Sequence, residues 1–206
     1  MKWHLPESDS YFEKFITRDG GFQTDHLLAA LEHVKHWNMA VDVGAHVGLW
    51  TVPMSERFRR VIGFEMAPDT FESLKKNTED CHNVQVYNRA VGDKEGWCSP
   101  SDDPQRVGNT GSRFVGTGQR VPMVTLDQFN WQNLDFLKVD VEGYEWHVLQ
   151  GAQRVIQKFW PVIIMETDKK FARDRYDVPD DAAEQFLLSL GYRIVEHMRP
   201  DKVFAP

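Results

Sequence analysis

Hydrophobic positions along the chain follow two different periods. Between residues 24 and 37, Leu27, Leu31 and Val34 recur every three or four positions, which predicts an amphipathic helix. Short uninterrupted apolar runs follow, and such runs are typical of strands buried on both faces. The predicted strands cover 39–44, 61–65, 84–88, 136–143, 162–167, 192–197 and 202–206. The predicted helices between them cover about 47–57, 68–77, 144–157 and 182–191.

Strands and helices that alternate in this way predict an α/β fold. We expect a Rossmann-like, doubly wound and mostly parallel sheet with helices on both faces, whose ligands bind at the carboxyl ends of the strands. The length of 206 residues suits a single domain, 1–206, with an N-terminal helical region at 1–37. Residues 99–119 are rich in Gly, Ser, Asp and Pro and predict an irregular insertion, which either contacts a substrate or is a plain excursion of the chain.

Composition narrows the class of protein. Apolar residues make up 41 % of the chain, and no apolar run reaches the roughly 18 residues that a membrane helix needs. The N-terminus carries no signal-peptide pattern, so we expect a cytoplasmic protein without a membrane partner. The formal net charge of -7 argues against nucleic acid as a partner. Two cysteines, Cys81 and Cys98, indicate neither a disulfide framework nor a thiolate zinc site.

The stretch VDVGAHVGLW, residues 41–50, leads a hydrophobic strand straight into an acid and two glycines. Gly44 and Gly48 at a strand-to-helix turn would let the backbone approach a ligand closely. Glu65 ends the next predicted strand. It lies roughly twenty residues after the glycine turn, which is the spacing at which such folds present a carboxylate to a ribose. His46 stands where the dinucleotide pattern GxGxxG has its second glycine, so a nucleoside without a pyrophosphate fits better. A structural turn stays open as the alternative for the glycines alone.

A second polar group, FLKVDVEGYE, ends another predicted strand with carboxylates. Residues two apart share one face of a strand, so Lys138, Asp140 and Glu142 are expected to point the same way. Carboxylates held together at the end of a buried strand are costly unless a cation or a reacting proton uses them. The alternative is structural, with Glu142 capping the following helix and Asp140 accepting backbone amides.

Together these stretches resemble a known family. VDVGAHVGLWT resembles the first motif of the class I S-adenosylmethionine-dependent methyltransferases, and FEMAPDTFESLKKN resembles the second. LKVDVEGYEWHVLQGA resembles the signature of the FkbM-type methyltransferases. The resemblance spans about residues 39–167 and departs from the family at His46, where Asn is frequent. It implies the class I methyltransferase fold, with S-adenosylmethionine as the cofactor.

The resemblance also implies a role for individual residues. Glu65 would bind the ribose hydroxyls, Met66 would flank the adenine, and the loop after the first strand would meet the amino-acid tail. The residues expected to bind the cofactor are Asp42, Gly44, Ala45, His46, Gly48, Glu65, Met66, Asn88 and Asp140. The sequence has no His and carboxylate pattern at metal spacing, so no metal site is expected.

Methyl transfer implies an acceptor and a route for its proton. Enzymes that methylate base amines carry Asn or Asp, two prolines and an aromatic residue where this chain reads DVEG, so a hydroxyl of a small molecule or carbohydrate is the expected acceptor. The candidate catalytic carboxylates are Asp140, preferred as general base, then Glu166 and Glu142. Trp97 and Trp131 are candidates for the acceptor site. Two alternatives stay open, a methyltransferase for a nucleic-acid ribose or cap and a non-catalytic cofactor-binding module.

Overall fold

A sheet of seven strands forms the centre of the fold, and helices connect its strands. The computed structural model describes residues 3–19, 22–167 and 171–206. The strands are β1 (Met39–Val43), β2 (Arg60–Glu65), β3 (Val84–Asn88), β4 (Ala90–Val91), β5 (Gly96–Ser101), β6 (Phe114–Val124), β7 (Phe136–Val139), β8 (Val162–Glu166), β9 (Arg193–Met198) and β10 (Asp201–Ala205). The helices are α1 (Phe12–Asp19), α2 (Thr24–Leu31), α3 (Thr51–Ser55), α4 (Pro68–Asn77), α5 (Glu145–Gln150), α6 (Gln153–Phe159), α7 (Phe171–Tyr176) and α8 (Ala182–Leu190).

The strand order of the large sheet is β3-β2-β1-β7-β8-β10-β9. Neighbouring strands from β3 to β8 are parallel, whereas β10 runs antiparallel to both β8 and β9. The chain builds outward from β1 to β3 and then returns to the other side of β1 with β7. The predicted doubly wound, mostly parallel sheet is confirmed. The reversal of order between β1 and β7 marks the crevice where such sheets bind ligands.

Hydrophobic residues cover both faces of this sheet. On one face, Val41 and Leu137 pack with Val148 of α5 and its neighbours in α6 and α8. On the other face, Phe136 packs in a cluster with Leu31 of α2. The central strands β1, β7 and β8 are buried along their whole length, which explains why their sequences are continuous apolar runs. Among the described residues, no helix has the length and apolar character needed to cross a membrane.

A second, three-stranded sheet has the order β4-β6-β5. The predicted irregular insertion at 99–119 is therefore wrong at both of its ends, which lie in β5 and β6, and only the residues between these strands form a connection. The first seven residues of β6 are exposed or half-buried, so no apolar alternation marks this strand in the sequence. Gly116 and Gly118 pass close to Ser101 and Ser99, where a Cβ atom would clash with the serine hydroxyls. Strands paired through glycine and serine in this way have a sequence composition that is typical of a loop.

The first predicted amphipathic helix is shorter than its apolar pattern. The helix α2 ends at Leu31, and the amide of Val34 then bonds back to the Leu31 carbonyl at 3.1 Å, as in a tight turn. Trp37 lies in a segment without regular structure, and its ring packs against Phe58 with 5.0 Å between centroids. The apolar residues of this pattern are therefore packed in the protein although they do not belong to one continuous helix.

Two other boundaries differ from the sequence pattern because the backbone turns. The predicted helix at 144–157 is interrupted at Gly151, whose Cα lies so close to the Gly92 carbonyl oxygen that a Cβ would come within 1.9 Å. The strand β7 stops at Val139, before its predicted end, since the chain turns at Glu142 with φ of 55°. The helix α8 is confirmed, and its C-cap is glycine with φ of 107°.

Candidate functional site

A cavity of about 660 Å³ lies at the carboxyl ends of the neighbouring strands β1 and β7. Its wall includes residues at the ends of four neighbouring strands, namely Gly44 after β1, Glu65 of β2, Asp140 after β7 and Glu166 of β8. Further lining residues come from the N-terminal region on both sides of α1, such as Tyr11 and Gln23, and from the connection 102–113 between β5 and β6, here called the covering loop. The cavity therefore occupies the crevice that the strand order predicts.

The Gly44 loop, residues 44–50, leads from β1 to α3. Gly44 has φ of 80°, and the amides of Gly44 and Ala45 donate to the carbonyl oxygen of Phe64 at 3.0 and 2.9 Å. A Cβ atom on Gly44 would lie 1.9 Å from the carbonyl oxygen of Asp140. Only glycine lets the loop pass between the end of β2 and the turn after β7. Because the loop is irregular, the helix predicted from residue 47 begins only with α3.

The structure brings the Gly44 loop and Glu65 together. The carboxylate of Glu65 accepts the amide of His46 at 2.9 Å with one oxygen and the amide of Ala67 at 2.7 Å with the other. Burial raises the pKa of Glu65 to about 7, against the opposing effect of these two amides. A ligand that donates hydroxyl groups to this carboxylate would favour its ionised form.

Three of the residues expected to bind the cofactor lie behind the residues that line the cavity and do not line it themselves. The side-chain amide of Asn88 donates to the carbonyl oxygens of Glu65 and Met66, both at 2.9 Å, so it fixes the end of β2. Gly48 has φ of 97°, and a Cβ atom there would lie 3.0 Å from a methyl group of Leu74. Asp42 is fully buried beneath the Gly44 loop. Among the described residues, Ala45, His46 and Met66 line the cavity, whereas Asn88, Gly48 and Asp42 do not.

Asp42 and Asp140 share one lysine. The ammonium of Lys138 lies 3.4 Å from Oδ1 of Asp42 and 3.5 Å from Oδ2 of Asp140. The hydroxyl of Thr51 donates to the other Asp42 oxygen at 2.7 Å. Burial lowers the pKa of Lys138, but the carboxylates of Asp42 and Asp140 raise it more, so the pKa lies above its usual value. This part of the wall is an ion network under the Gly44 loop.

Asp140, Glu142 and Glu166 place carboxylate oxygens within 4.8 Å of one another. The strand predicted through residue 143 stops earlier, so the three acids meet across a turn and β8 and not along one strand face. Arginine side chains approach the same group, with Arg106 at 3.6 Å and Arg175 at 3.7 Å from Glu142. The acids thus belong to an ion network with their neighbouring cations, and we assign no metal to them.

Glu145, and not Glu142, caps the turn at the start of α5. Its carboxylate accepts the amides of Val141 at 3.2 Å and Gly143 at 3.1 Å. Burial raises the pKa of Glu145 to about 7. The structural alternative for these acids therefore applies to Glu145, which leaves Glu142 on the cavity wall.

Sequence reasoning missed a hydrogen-bond chain that links the Gly44 loop to the covering segments. The hydroxyl of Thr110 donates to Asp9 at 2.6 Å, because a carboxylate only accepts. The Thr110 oxygen must then accept from Nε2 of His46, at 2.7 Å. Burial lowers the pKa of His46 to about 4, so the ring is neutral and its Nδ1 is an acceptor. His46 also has φ of 51°, a left-handed conformation that Asn and His adopt more readily than most residues.

Sequence reasoning also missed Arg113, which anchors the covering loop. Arg113 lines the cavity and pairs with Asp69 of α4 at 2.6 Å and with Asp102 at 2.8 Å. Partners that are 44 and 11 residues away in the chain leave no local pattern to detect. The aromatic candidates Trp97 and Trp131 are not on the cavity wall among the described residues. Trp97 is 60 % exposed and Trp131 is buried in the core.

Comparison with known proteins identifies related sequences. The model of the methyltransferase FkbM domain matches residues 42–194. Methyltransferase 1 of Beauveria bassiana is 28% identical over 142 residues, which cover 54% of this chain and 57% of that protein. The hexuronic acid methyltransferase AglP of Haloferax volcanii is 28% identical over 154 residues, which cover 71% of this chain and 63% of that protein. The matched part is thus less than two thirds of the length of these curated relatives.

A solved structure shares the fold. The crystal structure of methyltransferase FkbM from Methylobacillus flagellatus KT has a TM-score of 0.54 and 18% sequence identity. The match covers 81% of this chain and 43% of that chain. At this identity the likeness shows a common class I methyltransferase fold, and it carries no statement about the acceptor.

Proposed function

This chain belongs to the methyltransferase FkbM domain family, and we propose that it transfers a methyl group from S-adenosylmethionine to a hydroxyl oxygen of a small molecule or glycan. The observation that carries this proposal is the convergence of the Gly44 loop, Glu65 and Asp140 on one cavity. A buried carboxylate next to a glycine loop suits a nucleoside, and a second carboxylate beside the same loop suits a reacting hydroxyl.

The nucleoside half of the cavity, formed by the Gly44 loop and the end of β2, fits S-adenosylmethionine. Ribose hydroxyls would donate to Glu65, whose pKa burial raises to about 7 although two backbone amides already stabilise the ionised carboxylate. Met66 offers an apolar surface for the adenine ring. The backbone at Gly44 and Ala45 lies on the cavity wall, where no side chain of residue 44 keeps the amino-acid tail away.

The transfer half of the cavity, formed by Lys138, Asp140, Glu142 and Glu166, supplies the route for the proton. When bound, S-adenosylmethionine would supply an electrophilic methyl group; its transfer to the acceptor oxygen would leave the electron pair of the carbon–sulfur bond on sulfur and would require the hydroxyl proton to depart. Asp140 would receive this proton, since it lines the cavity and its carboxylate lies 3.5 Å from the ammonium of Lys138, which also contacts the Gly44 carbonyl oxygen. Lys138 is excluded as the base because its raised pKa keeps it protonated. Glu166 and Glu142 are the further carboxylates within reach.

The rest of the wall suits an acceptor with several hydroxyl groups. Asn109 offers a side-chain amide, and Tyr11 offers an exposed aromatic surface. A carbohydrate presents hydroxyls to the amides and carboxylates, and its C–H faces pack on aromatic rings. The name of the Haloferax volcanii relative, a hexuronic acid methyltransferase, supports this acceptor class.

The test is a transfer assay with methyl-labelled S-adenosylmethionine and separate pools of acceptors. The pools are methyl hexopyranosides, hexuronic acids, small phenols and a short RNA. We expect label in a hydroxyl-bearing small molecule or sugar, together with S-adenosylhomocysteine, and less label with Glu65→Ala at a cofactor concentration near the wild-type Kd. Label in RNA alone would contradict the acceptor class. Cofactor binding without transfer to any pool would favour a non-catalytic module.

A further inference from the structure

Lys138 is a buried cation between the two halves of the cavity. Its ammonium lies 3.4 Å from Oδ1 of Asp42, 3.5 Å from Oδ2 of Asp140 and 3.4 Å from the carbonyl oxygen of Gly44. The ring of Trp50 lies beneath it, with 5.6 Å to the centroid. Lys138 is 5% exposed, yet it reaches the cavity wall. The ammonium of Lys138 therefore contacts both the Gly44 loop and Asp140, the proposed general base.

Asp42 depends on this lysine for the compensation of its charge. Asp42 and Lys138 are direct neighbours on the paired strands β1 and β7. Oδ2 of Asp42 accepts the Thr51 hydroxyl, whereas Oδ1 has no hydrogen-bond partner among the described residues and faces the ammonium at 3.4 Å. A fully buried carboxylate without a countercharge is strongly unfavourable. The lysine thus offsets a negative charge directly behind the Gly44 loop.

The lysine cannot act as an acid or base near neutral pH. Its environment raises its pKa, so the ammonium stays protonated while it borders the cavity. A permanent cation in this place acts through its charge and through the groups that it holds in position. It contacts both the Asp140 carboxylate and the Gly44 carbonyl oxygen, and the backbone carbonyl of Asp140 also lies against Gly44, where a Cβ atom would not fit.

We propose that Lys138 is a positioning residue that sets the charge of the transfer half for methyl transfer. Its ammonium neutralises Asp42 and holds Asp140 beside the Gly44 loop, so that the carboxylates do not form a strongly anionic site for a cationic ligand. This inference rests on the proposed function, because it takes S-adenosylmethionine as the ligand. It goes further by assigning a role to a residue that neither donates nor accepts the transferred group.

The physical reason is the change of charge at sulfur during the reaction. The sulfonium of S-adenosylmethionine is positive, whereas the thioether of S-adenosylhomocysteine is neutral. A strongly anionic site would stabilise the bound sulfonium more than the transition state, in which the positive charge is leaving sulfur, and so would raise the barrier. Lys138 reduces this ground-state preference and leaves Asp140 available for the hydroxyl proton.

The test compares the affinities of S-adenosylmethionine and S-adenosylhomocysteine by calorimetry, because the two ligands differ by one methyl group and one charge. Lys138→Met removes the ammonium and keeps a side chain of similar length. Asp42→Asn removes one carboxylate and leaves the lysine. The double variant removes one charge of each sign. Lys202→Met is the matched control, since Lys202 is a half-buried lysine paired with Glu184 at 2.7 Å outside the cavity.

We expect Lys138→Met to shift the preference toward S-adenosylmethionine by about fivefold or more, and Asp42→Asn to shift it the other way. The double variant should return to within about twofold of the wild-type ratio, and Lys202→Met should leave the ratio unchanged. If Lys138→Met does not fold, the inference is tested by the other two variants. The affinity ratio should then shift toward S-adenosylhomocysteine in Asp42→Asn and return toward the wild-type ratio in the double variant.

A lysine with a purely structural role would weaken both ligands together, and an unchanged ratio in all folded variants would overturn the inference. That result differs from a failure of the proposed function itself. A wild-type protein that binds neither ligand would contradict the cofactor assignment, whatever the variants do.

Discussion

The two halves of the cavity are constructed from different kinds of interaction. In the nucleoside half, backbone amides set the geometry, since Gly44 and Ala45 bond to the end of β2 and Glu65 accepts two further amides. In the transfer half, charged side chains set the geometry, with Lys138 between two aspartates and arginines around Glu142. The first half depends on backbone conformation and the second on charge balance. Substitutions should therefore damage them in different ways.

The largest effect is expected for Gly44→Ala. The new Cβ would meet the Asp140 carbonyl oxygen at 1.9 Å, and the backbone has φ of 80°. We expect a loss of about 3 kcal/mol or more in the free energy of unfolding, together with loss of cofactor binding. The matched control is Gly191→Ala, where φ is 107° but nothing lies within 4 Å of the added Cβ. That control should cost about 1 kcal/mol in a denaturant titration, and equal losses would show that the close contact is unimportant.

Asp140→Asn should break the transfer half and leave the nucleoside half intact. The amide keeps the shape of the side chain but cannot take the proton of the acceptor. We expect turnover to fall about a hundredfold, with the affinity for S-adenosylhomocysteine changed by less than about threefold. Steady-state rates on the labelled acceptor and calorimetry measure the two quantities. A larger loss of affinity than of turnover would place Asp140 in the nucleoside half.

Glu65→Ala should give the reverse signature. The substitution removes the acceptor for ribose hydroxyls and leaves the amides of His46 and Ala67 without their partner. We expect the affinity for S-adenosylhomocysteine to weaken at least about tenfold. Glu72→Ala on α4 is the control, because the side chain of Glu72 is 61% exposed and does not line the cavity. An unchanged affinity in Glu65→Ala would contradict the ribose assignment.

A smaller effect should appear in the pH dependence of cofactor binding. Burial raises the pKa of Glu65 to about 7, so the unliganded carboxyl is substantially protonated at pH 6. Ribose hydroxyls favour the ionised form, and binding should therefore release a proton below pH 7. The affinity should rise as pH increases toward about 7 and then level off. Calorimetry in buffers of different ionisation enthalpy measures this release, and Glu65→Gln should abolish it. Release that persists in Glu65→Gln would assign the proton to another group.

The difference between the halves also explains what could be predicted from the sequence. β1, the glycine turn and Glu65 are local features whose spacing reflects the strand order, so the fold class is confirmed, and the Gly44 loop and Glu65 lie on one cavity. Asn88 was expected at the pocket, but its amide bonds to the backbone at the end of β2. A sequence pattern identifies the strand end and does not distinguish a residue on the wall from one behind it.

The remaining features depend on contacts between distant parts of the chain. Asp9 and Thr110 are 101 residues apart, and the bonds from Thr110 to Asp9 and from His46 to Thr110 follow only from the folded covering loop. The first seven residues of β6 are exposed or half-buried, so this strand lacks an apolar alternation, and much of β5 and β6 was predicted as an irregular insertion. Hydrophobic periodicity detects buried elements, whereas paired polar strands and ion networks leave no such signal.

The most direct measurement of the central claim is a crystal structure of the protein with S-adenosylhomocysteine. We predict that the ribose hydroxyls lie within hydrogen-bond distance of the Glu65 carboxylate and that the homocysteine tail follows the Gly44 loop toward Asp140. A ligand bound elsewhere, or a ribose turned away from Glu65, would contradict the account.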